Sequence, residues 1–160
     1  MTMKIRTLAL QCSTFLTLCV ASIAHAQVTV SDPWVRATTS QQKATGAFMK
    51  LDAAKAATLL SASSPVAGVV EIHEMVTQDG VMKMRAIPDL PLPAGKTTEL
   101  KPGSYHLMLM DLKEPLNAGQ KVPVTLVIEA GQQRHEQTIE AEVRPLNSMP
   151  AAQQHQHGKH

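Results

Sequence analysis

From Val28 to Val143 the chain is a succession of short alternating polar and apolar runs, cut by proline, glycine or an Asp-Gly pair at close intervals. A period of two puts one apolar face on a pleated strand, whereas a helix would need apolar residues three and four apart. Tyr105 to Met110 is the clearest case, with His106, Met108 and Met110 on one face and Leu107 and Leu109 on the other. The leucines are the core candidates. Eight or so such strands with turn residues between them predict an all-β domain, an antiparallel sandwich or barrel.

In order along the chain, Val28 to Arg36 reads as a first strand broken at Pro33, and Thr45 to Asp52 as a second. Ala57 to Ala62 fits either a strand or a short helix. Gly68 to Val76 places Glu71, His73 and Met75 on one face; Asp79-Gly80 is a hairpin turn, so Val81 to Ala86 returns antiparallel with Met82 and Met84 sharing a face. Pro88, Pro91, Pro93 and Gly95 predict an irregular connection. Thr97 to Leu100 precedes a tight turn at Lys101-Pro102-Gly103, and Val122 to Ala130 and Gln133 to Val143 close the domain.

The first 26 residues read as a cleavable signal peptide: Lys4 and Arg6 are the basic end, Leu8 to Ile23 the apolar run, and Ala24-His25-Ala26 the cleavage site. Export to the periplasm follows. Cys12 and Cys19, the two cysteines of the chain, both lie in this segment. The mature protein therefore has no thiol for a disulfide, a redox pair, a nucleophile or a thiolate metal site. Losing Lys4 and Arg6 from the 15 basic residues leaves 13 against 13 acidic ones. A balanced charge gives no reason to expect nucleic-acid binding, and no later run is apolar enough for stable membrane insertion.

Between His73 and Met110 the strand faces gather His73, Met75, Met82, Met84, His106, Met108 and Met110. Thioethers are soft, neutral donors that favour Cu(I) over Zn(II), Ca(II) or Mg(II), and imidazole adds affinity without adding negative charge. Outside the cytoplasm thiols tend to oxidise to disulfides, while thioethers do not pair and need no deprotonation. The combination of His and Met two apart on a strand, twice, with a hairpin methionine between, points to a Cu(I) site. Met49, on an early strand, reads as packing. Met75, Met82 and Met110 remain candidates for ligands or for the shell around them.

The spacing His73-x10-Met84-x21-His106-x-Met108, set in VVEIHEM, LPAG, LKPGSYHLMLM and DLKEPL, resembles the PCuAC family of periplasmic copper chaperones. The resemblance extends to the DPWVRAT and TGAFMKL segments, over nearly the whole mature domain. It implies a cupredoxin-like Greek-key β-sandwich over residues 27–146 that binds one Cu(I) through His73, Met84, His106 and Met108. It also implies delivery of copper to the CuA subunit of cytochrome c oxidase or a related haem-copper oxidase, alongside a Sco-type protein. A blue-copper electron carrier would need a cysteine ligand, which the mature chain lacks.

Residues 147–160 are rich in Pro, Ala, Gln and His and cannot build a core, so a disordered tail is expected. Its Met149, His155, His157 and His160 offer a second, Cu(II)-type site, or simply a solvated tail. No catalytic triad, phosphate loop or paired catalytic carboxylates stand out, so no enzyme is expected. Copper storage or detoxification, and a metal-free sandwich that binds another envelope protein through its methionines, are the alternative readings.

Overall fold

The computed structural model describes residues 28–145, which form ten strands and no helix. They are β1 Val28–Arg36, β2 Ala44–Ala53, β3 Ala57–Ser63, β4 Val69–Gln78, β5 Val81–Ile87, β6 Leu90–Leu92, β7 Lys96–Leu100, β8 His106–Met110, β9 Lys121–Ala130 and β10 Gln133–Arg144. Hydrogen bonding runs in the order β5-β4-β8-β2-β1-β10-β9-β3-β6, with β7 also paired to β2. The signal peptide and the histidine-rich tail lie outside the described residues.

The all-β sandwich expected from alternation is found, with two local differences, at the proline-rich connection and in one parallel strand pair. The break expected at Pro33 within the first strand is also found. A bulge between Ser31 and Trp34, with Asp32 at φ 48°, absorbs the proline and lets pairing to β2 resume at Trp34. The proline-rich connection holds the short strand β6 around Pro91, which is tolerated because β6 is an edge strand paired only to β3. Pairing is also not wholly antiparallel, since β1 and β10 run parallel with Val35 opposite Val143. The ambiguous Ala57 segment is a strand.

Leu51, Leu107 and Leu109 from one half of this order share a single buried cluster with Leu59, Val124, Leu126 and Ile128 from the other. Burying each such side chain contributes roughly 1.5–3 kcal/mol. Leu107 and Leu109 are fully buried, as the alternation of β8 predicts, so His106 and Met108 must face the opposite side of the sheet. Asp79 and Gly80 have φ of 53° and 76°, the paired positive values that a two-residue hairpin turn requires. That turn sets Met75 opposite Met84. On the other side of β4, His73 pairs with His106 and Glu71 with Met108.

Candidate metal centre

The site grows from this register. Strand β4 lies between β5 and β8, so its outward face carries donors that meet donors from both neighbours. The His73 and His106 rings are 5.8 Å apart, edge to face. His106 Nε2 lies 3.1 Å from Met84 Sδ. A cavity of about 310 Å³ is lined by Met75, Met84, His106 and Met108, together with Arg36 and Phe48; His73 is not part of that lining.

Each imidazole is held through one ring nitrogen. The tight turn after β7, with Gly103 at φ 80°, brings the Ser104 carbonyl 3.0 Å from His106 Nδ1. A carbonyl only accepts, so Nδ1 carries the proton and Nε2 presents its lone pair. On β4 the Glu71 carboxylate lies 2.8 Å from His73 Nε2, which donates to it. His73 Nδ1 is buried and has no hydrogen-bond partner. A buried nitrogen lone pair without a partner costs free energy unless something fills its coordination.

A neutral His106 has one N–H and two acceptors beside it, the Ser104 oxygen and the Met84 sulfur. One proton cannot serve both. With the Nδ1 proton given to Ser104, Nε2 and Sδ face each other as two lone-pair donors, an arrangement suited to a soft cation. Burial pushes the His106 pKa below the usual imidazole value; the Ser104 hydrogen bond works against this, and the charges of His73 and Arg36 add to the depression. The second proton is thus disfavoured and a metal ion fits.

The chemistry of the donors selects among metals. Among the described residues no group of three His, Asp or Glu side chains is arranged to hold an ion. What converges instead is two imidazoles and methionine thioethers, a soft neutral set. His73 and His106 are 8% and 6% exposed, while Met84 is 47% exposed on the edge strand β5. The site is therefore buried on its histidine side and open at Met84.

The sequence-predicted donors divide cleanly. Met75 lines the cavity with Met84 and Met108. Met82 sits further along β5, where its sulfur accepts a hydrogen bond from Thr77 Oγ1 at 3.3 Å. Met110 pairs with Ala44 and Val69 at the far end of β8. Met49 is core. Met149, His155, His157 and His160 fall outside the described residues.

Supporting residues were not singled out by the sequence reading. Phe48 lies under the site, 6.3 Å from the His106 ring and 4.4 Å from Trp34. It can lie there because residue 46 is glycine: a Cβ at Gly46 would stand 2.6 Å from the Phe48 ring. Glu71 shares a strand face with His73 at i−2, a spacing that could have flagged it as the histidine's orienting partner.

The chain is 42% identical over 100 residues to "Putative lipoprotein Lxx21020" of Leifsonia xyli subsp. xyli, covering 62% of this chain and 60% of the length of that relative. It superposes on the "Copper-bound PCuAC domain from PmoF2" with a TM-score of 0.61 and 21% identity, covering 75% of this chain and 94% of that one. It superposes on the "Solution structure of CuI-DR1885 from Deinococcus Radiodurans" with a TM-score of 0.60 and 28% identity, covering 78% and 83%. Residues 28–143 match the family described as "Putative lipoprotein LpqE-like", and the chain belongs to this LpqE-like family, of PCuAC type.

Proposed function

We propose that the protein is an exported carrier of Cu(I), held by His73, Met84, His106 and Met108, that gives up its ion to an oxidase-assembly partner. The observation that carries this reading is the His106 ring, caught between the Ser104 carbonyl and the Met84 sulfur with one proton for two acceptors. The orphaned Nδ1 of His73 supports it from the neighbouring strand. The copper-bound state named for two structural neighbours agrees with the donor set.

The cargo is bound by neutral donors alone, so a positive ion keeps its charge in the site. A partner that offers thiolates binds Cu(I) more strongly and draws it out. Met84, exposed on an edge strand, is the first donor such a partner reaches. Metal is passed on, and no substrate is turned over. The acceptor we propose is the CuA subunit of cytochrome c oxidase or a related oxidase, with a Sco-type protein acting beside it, in the periplasm.

The test is transfer. The Cu(I)-loaded protein is mixed with an apo CuA domain and copper is followed by the CuA absorption and by metal analysis of the separated proteins. Movement of about one copper per chain supports the reading; retention of copper by the loaded chain contradicts it. Storage is the poorer reading, because Met75, Met84, His106 and Met108 line a single cavity, too few donors in one place for several ions. For the tail, Met149, His155, His157 and His160 are proposed to take Cu(II), so that removing residues 147–160 lowers Cu(II) uptake and spares Cu(I).

A further inference from the structure

Arg36, at the end of β1, lines the same cavity as His106, Met84 and Met108. Its guanidinium lies over the Phe48 ring, 5.7 Å from the centroid. The other end of that aromatic stack is closed by Arg144, which sits 5.4 Å from the Trp34 centroid and pairs with the Asp32 carboxylate. Arg36 has no such partner: among the described residues none of its guanidinium nitrogens is matched by a carboxylate. A half-buried, permanently charged group without a counter-ion beside a cation site is costly unless its field serves the site.

Glu71, whose carboxylate holds His73 Nε2, stands on β4, separated from β1 by β8 and β2 in the sheet order. Four neutral donors and this carboxylate together would leave the centre with a net negative charge, which favours Cu(II) over Cu(I) by one extra unit of attraction. Arg36 cancels that bias. We infer that Arg36 sets the oxidation-state preference of the centre, opposing Glu71 so that the soft donors alone decide and the singly charged ion is retained. This rests on the proposed Cu(I) site and adds to it a residue that is not itself a donor.

The size of the effect follows from distance. Arg36 lies 5.7 Å from the Phe48 centroid, which is 6.3 Å from the His106 centroid, so guanidinium and imidazole are separated by no more than about 12 Å. At an effective dielectric constant of about 20, one charge at that distance changes the relative affinity for Cu(II) and Cu(I) by roughly tenfold. For a one-electron couple tenfold corresponds to about 59 mV.

The experiment measures the Cu(II)/Cu(I) reduction potential of the loaded protein, with Cu(I) and Cu(II) affinities from chelator competition, for wild type, Arg36→Gln, Arg36→Lys and Glu71→Gln. Arg36→Gln is expected to favour Cu(II) by about tenfold, a potential lower by about 59 mV. Arg36→Lys keeps the charge and is expected to stay within about threefold of wild type, which a loss of stacking alone would not spare. Glu71→Gln leaves Arg36 and its stack in place and is expected to shift the ratio the other way by a similar factor, so the inference stays testable if Arg36→Gln does not fold. A potential unmoved in Arg36→Gln, or moved equally by Arg36→Lys, overturns the role of Arg36. A wild-type protein that takes up no Cu(I) overturns the underlying copper reading instead.

Discussion

His106 Nε2 and Met84 Sδ face each other at 3.1 Å across two strands that are not neighbours, β8 and β5, with β4 between them. The contact exists because the Asp79-Gly80 turn sets the register of β5 and the turn before β8 aims the imidazole. Local turn chemistry thus places donors that are 22 residues apart in sequence.

Met84→Leu keeps volume and apolarity at an exposed position, so folding is expected to be unaffected. Cu(I) affinity is expected to fall by more than the ~10–100-fold that losing an outer partner typically costs. Chelator competition checks the affinity and thermal unfolding checks the fold. An unchanged affinity would remove Met84 from the site.

Glu71→Ala removes the acceptor that fixes the His73 tautomer. Cu(I) affinity is expected to drop about 10–100-fold, less than for loss of a donor. The ring protons of His73 in NMR spectra of the apo protein should show mixed tautomers in the variant and one tautomer in wild type.

Gly46→Ala forces its Cβ against the Phe48 ring, which is itself held under Trp34 and Arg36 and cannot easily yield. A cost of about 1–3 kcal/mol is expected. At roughly 4 °C per kcal/mol for a domain of this size, the change is readable as a lower Tm. Weaker Cu(I) binding should accompany it, because Phe48 also packs toward His106.

The apo protein should lose stability in mild acid. An unfolded histidine titrates near about 6.5, while burial holds folded His106 below that value. Between the two, the unfolded chain binds more protons, so stability falls as pH drops through the window and is flat above it. The Tm of wild type is expected to decline from about pH 6.5 downward, and His106→Gln should show a shallower decline. Equal slopes would mean that His106 is not held neutral.

Much of this arrangement is legible in the residues. Alternation in HLMLM separates Leu107 and Leu109, which are buried, from His106 and Met108, which are not in the core. Asp79-Gly80 announces its own turn. Pro33 marks the break that the bulge makes, whereas Pro91 misleads because a proline's local restriction says nothing about an edge position that will accommodate it. Cross-strand facts are also silent in sequence. Parity leaves Met75, Met82 and Met110 equal, and only the assembled sheet puts Met75 in the cavity and the other two away from it. Arg36 and Phe48 are invisible as site residues because they arrive from β1 and β2, far along the chain from any donor.

The central claim is that His73, Met84, His106 and Met108 hold one Cu(I). Anaerobic titration of the purified protein with Cu(I) against a chromophoric chelator, for wild type and for His106→Ala with Met108→Ala, tests it directly. The account predicts one tightly bound Cu(I) per wild-type chain and loss of that tight site in the double variant, with the fold intact by circular dichroism. Equal Cu(I) binding by the two proteins, or no Cu(I) bound by wild type, would contradict it.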